Sequence, residues 1–476
     1  MGIKQQVLKG TFYIAVAKYS GLVVGLIITS ILARILTPED YGVVAIAMAF
    51  ITFFTLLSDM GIGSAIVQYK DLSKKEVSSI FGLTFWLGII LALSFFFSSY
   101  LIASFFNNQQ LVLICQILSI QVLFIAFNMV PNALLLKEQK FKIIAFRTLF
   151  VQILCGILAV VVACHNGGVY SLLIAPVGGS FLTFIINAFC SGLQYSLLLQ
   201  KKVIKKIASF SIFQFLFGVV NYFGNNLHAM IIGKVIGMNA LGYYEKGDRL
   251  IAMPMQNING VLAPVLHPVL SNYQDNHDFI FHALQKITNI LCVISIPISV
   301  FFFIAAKDIV LILFGNQWLN AVSCIQILSF TIIFRMTSIS LGAILQTLNR
   351  TNLLFKLGLV NVSIAILALC ISILISNTIE SICSGAVCSA AFSFVSTFYA
   401  LFHIAFKKSF FKEMIMFFKP FVFYFLSLFI GIAFMDYLNY NLLINLFVKV
   451  SVVGILALGY FHFFTDYKMS KIFKIK

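Results

Sequence analysis

Long apolar runs dominate this 476-residue chain and restrict the folds that are open to it. A run of about 20 mostly apolar residues can cross the roughly 30 Å hydrocarbon core of a bilayer as a helix. The sequence contains about fourteen such runs by hydrophobic pattern, and only 10% of its residues are charged. A soluble domain carries roughly 25% charged residues. The chain is therefore predicted to be a polytopic membrane protein whose function lies largely within the bilayer.

The runs are predicted to be helices, which makes the fold class all-α with about fourteen transmembrane helices. A membrane barrel would instead need short segments of alternating polarity. One run is expected to break near Gly315. The predicted spans are residues 10–36, 41–69, 78–104, 110–135, 143–164, 168–192, 207–236, 240–270, 281–305, 309–347, 353–376, 379–406, 415–437 and 442–465.

The positive charges predict the orientation of the chain. Most of the 32 lysines and arginines fall at the two termini and in or beside alternate loops, and Arg147 is counted with the loop that precedes it. Such segments are typically cytoplasmic. Both termini are therefore predicted to be cytoplasmic. The net charge of +17 then reflects topology and attraction to anionic lipid, and no nucleic-acid partner is expected. No phosphate-binding GxxxxGK[ST] motif, CxxC pair or metal-ligand spacing occurs, so neither a cofactor nor a metal is predicted.

A sequence repeat suggests how the helices are organised. ILARILTPEDYG at residues 31–42 is echoed by IIGKVIGMNALG at residues 231–242, which aligns Arg34 with Lys234 and Gly42 with Gly242. The match continues into the next helix. Six predicted spans separate the copies, and an even number makes them parallel repeats, an architecture of secondary transporters. The predicted lobes are residues 1–206 and 207–406, followed by a helix pair and basic tail at 407–476.

Two such lobes would enclose a central cleft, and polar stripes on single helix faces indicate what lines it. The residues expected to bind substrate there are Lys18, Arg249, Arg335, Asn221, Asn225, Gln256 and Gln346. The acids expected to couple transport to an ion are Asp59, Glu245 and Asp248. Arg34 and Lys234 are expected at the cleft mouth.

Structural alternatives exist for several of these residues. Arg34, Lys234 and Lys449 lie in positions from which a long side chain can extend to the lipid headgroups. Arg249 can pair with Glu245 one helical turn earlier. The carboxylate of Asp59 can serve helix packing or capping, and Glu39 and Asp40 beside Pro38 are better explained as turn and cap residues than as an acid/base pair.

The chain resembles a known family over nearly its whole length. ILARILTPEDYG, LLSDMGIGSAIVQ, LLLKEQKFK and the fourteen-span duplicated layout are similar to the polysaccharide-exporter branch of the multidrug/oligosaccharidyl-lipid/polysaccharide (MOP) superfamily, and to Wzx-type O-antigen and colanic-acid flippases within it. The resemblance implies a V-shaped pair of lobes in the bacterial inner membrane. It also implies transport of undecaprenyl-pyrophosphate-linked oligosaccharide by alternating access, with membrane lipids, a polysaccharide polymerase and other export machinery as partners.

Two other functions remain open at this stage. A multidrug extruder of the same superfamily would be expected to carry acidic residues in its cleft for cationic drugs, whereas the deep charges here are mainly basic. A membrane-embedded polymerase or glycosyltransferase would be expected to carry a long external loop with catalytic residues. No such loop is evident, so the chain is predicted not to be an enzyme.

Overall fold

The computed structural model is helical throughout the secondary structure that it describes. It describes residues 3–59, 62, 63, 66, 72–193, 195–197, 218, 219, 222–224, 226–271, 273, 274, 276–435 and 442–464. The α-helices are α1 Ile3–Ile35, α2 Pro38–Asp59, α3 Lys74–Phe106, α4 Gln110–Lys137, α5 Phe141–Cys164, α6 Ser171–Cys190, α7 Met238–Ser271, α8 His277–Leu313, α9 Ala321–Ser329, α10 Thr331–Thr337, α11 Leu341–Thr347, α12 Thr351–Ile375, α13 Ile379–Tyr399, α14 Phe410–Met414, α15 Phe418–Met435 and α16 Leu442–Phe464. Short 3₁₀ helices cover Gly168–Tyr170, Asn316–Trp318 and Ile415–Phe417, and a π-helix covers Ala400–Ala405.

Many of these helices are long and apolar enough to cross a membrane. Within the described ranges, nine meet that requirement, and a tenth span forms if Ala321–Ser329 and Thr331–Thr347, which are bent by 43°, are taken together. Large apolar side chains also point outward, such as Leu374 at 86% exposure and Phe429 at 74%. Because lipid is the solvent that covers such side chains at little cost, the prediction of an all-α polytopic membrane protein is confirmed.

Local sequence signals account for where several helices begin and end. Ser73 and Glu76 form a capping box at the start of α3, and Asn107 ends that helix in the left-handed conformation. Gly315 has a φ of 92° directly after α8, a conformation that favours glycine. The chain breaks at Gly315 as predicted, but α8 continues to Leu313, so the break separates two spans and the predicted start of a span at residue 309 is wrong.

The first of two compact units comprises Met1–Gly242. In it, α4 packs against α3 and α6, and α1 packs against α5. The unit extends past residue 206 because the segment that follows packs onto α2: the ring of Tyr222 lies 5.2 Å from that of Phe53. The compact unit thus ends later than the predicted 1–206 lobe, and the lobe boundary stays a prediction about the repeat.

The second compact unit comprises Tyr243–Lys476. Its long helix α8 contacts α9, α10, α15 and α16, while α12 pairs with α13. Tyr424 of α15 is buried, and its hydroxyl lies 3.0 Å from the Ser299 hydroxyl of α8. The helix pair predicted within 407–476 therefore packs as part of this unit.

Candidate functional site

The repeat identified in the sequence brings its two copies into contact within the first unit. A Cβ atom added to Gly42 would lie 1.9 Å from the carbonyl oxygen of Met238, and one added to Gly242 would lie 2.0 Å from that of Pro38. Pro38 and Met238 occupy equivalent positions in the two copies, so the contact is reciprocal, as in an interface with local two-fold symmetry. The aligned glycines are needed because the starts of α2 and α7 touch backbone to backbone.

The turn before α2 has the structure that its sequence indicates. The Thr37 backbone N–H donates to Asp40 Oδ2 at 2.9 Å, and the Asp40 N–H donates to Thr37 Oγ1 at 3.2 Å. These bonds satisfy amide groups that the first turn of a helix leaves without a partner. The structure therefore places Asp40 in a capping role, in agreement with the interpretation of this turn.

The two cations predicted at the cleft mouth lie in this same region. Arg34 is exposed in the last turn of α1. Lys234 is also exposed, donates a hydrogen bond to the Phe105 carbonyl and lies 5.0 Å from the centre of the Phe105 ring. Phe105 belongs to the last turn of α3, where a cation is stabilised by the helix dipole. The ammonium of Lys234 thus contacts the end of α3, and its place at the cleft mouth stays a prediction.

Two of the predicted site residues meet in the second unit. Arg335 Nη1 of α10 lies 3.3 Å from Asp248 Oδ1 of α7, and both side chains remain more than a third exposed. Arg249 is exposed on the next position of α7, while Glu245 is half-buried. None of the ion pairs seen among the described residues joins Arg249 to Glu245, so the structure does not show the pairing considered for them.

The other predicted site residues lie as follows. Lys18 on α1, Gln256 on α7 and Gln346 on α11 are exposed, and Asp59 is half-buried at the end of α2. Asn221 and Asn225 lie outside the described residues. Exposed lysine, arginine and amide groups on membrane helices can donate hydrogen bonds to phosphate and hydroxyl oxygens when they face water.

The structure buries three cations that the sequence did not indicate as site residues, and Lys449 is one of them. It was expected to extend to the headgroups, but it is only 8% exposed, and its Nζ lies 2.5 Å from Asp308 Oδ2. That expectation is wrong because Asp308 of α8 offers a charge partner inside the unit. Lys246 is 4% exposed, and its Nζ lies 5.4 Å from the Phe314 ring and 5.6 Å from the Trp318 ring.

Arg147, the third buried cation, is surrounded by amides. It was counted as a cytoplasmic cation, yet it is only 9% exposed in the second turn of α5. Its Nη1 donates to Oδ1 of Asn132 at 3.3 Å and to Oδ1 of Asn187. Asn187 in turn donates to Oδ1 of Asn128 at 2.7 Å. The spacing of Asn128 and Asn132, one helical turn apart on α4, is the sequence signal that could have indicated this cluster.

Comparison with known proteins gives one family and several relatives. A family model described as "Polysaccharide biosynthesis protein" matches residues 31–323. The lipopolysaccharide biosynthesis protein WzxC of Escherichia coli is 23% identical over 75% of this chain and 73% of its own length. The teichuronic acid biosynthesis protein TuaB of Bacillus subtilis is 23% identical over 74% of each chain.

Solved structures share the fold. The lipid II flippase MurJ in an inward closed conformation aligns with a TM-score of 0.74 and 15% identity, over 94% of this chain and 98% of MurJ. An inward-facing multidrug resistance MATE family transporter of the MOP superfamily aligns with a TM-score of 0.61 and 15% identity, over 79% of this chain and 93% of its own.

Proposed function

The chain belongs to the family of polysaccharide biosynthesis proteins, and from that premise we propose that it translocates undecaprenyl-pyrophosphate-linked oligosaccharide across the bacterial inner membrane by alternating access. It is a multi-pass membrane transporter of the MOP superfamily rather than an enzyme. The family match over residues 31–323 is the observation that carries the proposal. In this proposal both chain termini lie in the cytoplasm, as the positive charges predict.

The physical problem that such a transporter solves is the polarity of its substrate. Each hydroxyl moved into hydrocarbon without a hydrogen-bond partner costs roughly 4–8 kcal/mol on an alkane scale, and an isolated phosphate charge costs far more. We assign the charged groups Lys18, Arg249 and Arg335 to the diphosphate, because cations make the stronger hydrogen bonds to phosphate oxygens. The amides assigned to the sugar hydroxyls are Asn221, Asn225, Gln256 and Gln346.

The pair formed by Arg335 and Asp248 suggests how one of these groups is held between transport cycles. The carboxylate of Asp248 lies 3.3 Å from the guanidinium of Arg335 and partly neutralises its charge while no phosphate is bound. A diphosphate that competes for the guanidinium releases the carboxylate, which is then available to take up a proton. Asp59 and Glu245 are the other acids proposed for such coupling. With the cytoplasm negative, the membrane potential favours outward movement of negative charge by about 2.3 kcal/mol per charge per 100 mV.

Reconstituted transport tests the proposal directly. The protein is placed in proteoliposomes with a fluorescent undecaprenyl-pyrophosphate-linked oligosaccharide. An added reductant that cannot cross the membrane quenches the lipid in the outer leaflet, and quenching beyond that share reports lipid that has crossed. We expect crossing to require the protein. Lys18→Ala, Arg249→Ala and Arg335→Ala should each weaken substrate affinity roughly tenfold or more, since one charged hydrogen bond contributes about 1.5–3 kcal/mol. Arg350→Ala is the matched control, because Arg350 is exposed between α11 and α12 and is not assigned to substrate.

The fold shared with a multidrug MATE transporter makes drug extrusion the competing function. The same proteoliposomes can be loaded with a lipophilic cation such as ethidium. Protein-dependent movement of the cation, combined with no movement of the lipid-linked sugar, would replace the flippase proposal with a drug extruder.

A further inference from the structure

Buried cations in the described part of the chain differ in what balances their charge. Lys449 has the carboxylate of Asp308 at 2.5 Å, and Lys246 lies against the faces of Phe314 and Trp318. Arg147 belongs to none of the ion pairs observed there. Removing an ion from water costs several kcal/mol unless it is paired or fully hydrogen-bonded. Of these three buried cations, Arg147 is thus the one whose side-chain hydrogen bonds go to neutral amides.

The hydrogen bonds around Arg147 leave donors unused. The amide oxygens of Asn128, Asn132 and Asn187 already accept bonds from within the cluster. Arg147 Nε is buried and has no acceptor, and neither the Asn128 nor the Asn132 Nδ2 group donates to any described residue. The Arg147 guanidinium therefore has a buried N–H without an acceptor, and none of the ion pairs among the described residues gives it a negative partner. A group that brings several acceptor oxygens and a negative charge would supply both.

The position of the cluster indicates where such a group comes from. Arg147 lies six residues after the start of α5 at Phe141, or about 9 Å along the helix at 1.5 Å per residue. Asn132 and Asn187 lie in the C-terminal parts of α4 and α6. The three helix ends meet beside the turn that contains Lys140, whose Nζ donates to the Cys190 carbonyl at 3.0 Å. By the predicted spans, which end at residue 135 and begin again at residue 143, the cluster lies within about one or two helical turns of the membrane boundary, close to the lipid headgroups.

We propose that Arg147, Asn128 and Asn132 form a binding site for the phosphoryl group of a membrane lipid, at the end of the first unit where α4 meets α5. Asn128 and Asn132 are half-buried and provide the entrance, while Arg147 provides the charge at its base. Asn187, which is fully buried, positions the guanidinium. The site is separate from the residues assigned to transport, and it does not depend on the flippase proposal, because a protein that transports nothing would still bind the lipid.

Lipid-dependent stability tests this site. The protein is placed in phosphatidylcholine nanodiscs containing increasing fractions of phosphatidylglycerol in one series and of undecaprenyl phosphate in another, and thermal unfolding is followed with a thiol-reactive dye. A ligand that binds only the folded state raises the unfolding midpoint in a saturable manner. We expect saturation with at least one of the two lipids. A response to phosphatidylglycerol identifies a phospholipid headgroup as the source, and a response to undecaprenyl phosphate alone identifies an isoprenoid phosphate.

Three variants separate the proposed site from other effects. Arg147→Met keeps an apolar side chain of similar length, and Asn132→Asp places a carboxylate beside the guanidinium as an internal counter-ion. Both should weaken the apparent lipid affinity roughly tenfold or more, the effect of losing one charged hydrogen bond. Lys142→Met removes an exposed cation from the first turn of α5, before the turn that carries Arg147, and should leave the affinity unchanged.

Two results would overturn the proposal. One is the absence of a saturable response of the wild-type protein to either lipid. The other is an equal change of the apparent lipid affinity in all three variants. Because each variant lowers the net charge by one, that result would assign the effect to the overall surface charge. If Arg147→Met does not fold, Asn132→Asp decides alone, and a lipid response equal to that of the wild-type protein would reject the site.

Discussion

A single methyl group at Gly42 tests the reciprocal contact between the two repeat copies. The added Cβ would lie 1.9 Å from the Met238 carbonyl oxygen, while ordinary contacts between such atoms begin at roughly 3.4 Å. The two backbones must therefore move apart by about 1.5 Å, because neither atom belongs to a side chain that can rotate away. Overpacking of this kind costs typically 1–3 kcal/mol. We expect Gly42→Ala to fall at the upper end of that range.

The reciprocity makes a stronger prediction for the double variant. Gly242→Ala forces a similar separation, since its Cβ would lie 2.0 Å from the Pro38 carbonyl oxygen. Once either methyl group has separated the backbones, the second needs little further movement. Gly42→Ala with Gly242→Ala should therefore destabilise the protein by clearly less than the sum of the single changes, with a coupling of about 1–2 kcal/mol.

Thermal unfolding followed by thiol labelling provides the assay, because five of the cysteines, Cys115 and Cys155 among them, are buried in the folded protein. Labelling of the exposed Cys164, Cys370 and Cys388 gives the baseline. Gly358→Ala is the matched control: Gly358 lies in α12, and its added Cβ would meet nothing within 4 Å. The control should be neutral or slightly stabilising, since alanine favours a helix by roughly 1 kcal/mol over glycine. Strictly additive effects at Gly42 and Gly242, or wild-type stability of both, would refute the reciprocal contact.

Three further predictions follow from other contacts. Lys449→Met should cost about 3–5 kcal/mol because it leaves Asp308 buried without a counter-ion, and adding Asp308→Leu should recover most of that stability in the same thiol assay. Ser73→Ala should cost about 1 kcal/mol by removing the cap of α3, and it should leave transport unchanged. Asp248→Asn should lower the lipid-linked oligosaccharide concentration that half-saturates transport, because it frees Arg335; an unchanged value would exclude Asp248 as a competitor of phosphate.

Features that depend on neighbouring residues could be predicted from the sequence. The break at Gly315 and the cap at Asp40 each follow from a backbone preference that acts within a few residues. The alignment of Gly42 with Gly242 could also be read directly, because a duplicated sequence preserves its spacing. What that alignment could not show is that the two copies touch. The contact depends on the path of the whole first unit between them.

The charged residues mark the limit of what a helical pattern can predict. Periodicity places a residue on a face of its helix, but it does not say which helix covers that face. Asp308 lies 141 positions before Lys449, and the amides around Arg147 come from α4 and α6, so neither environment is encoded locally. Counting cations to find cytoplasmic segments assigned Arg147 to such a segment and treated it as solvated, whereas it is buried. Its burial among neutral amides distinguishes it from the half-buried Lys137 and Lys140 and the exposed Lys142, and makes it the first cation in that group to test for a bound anion.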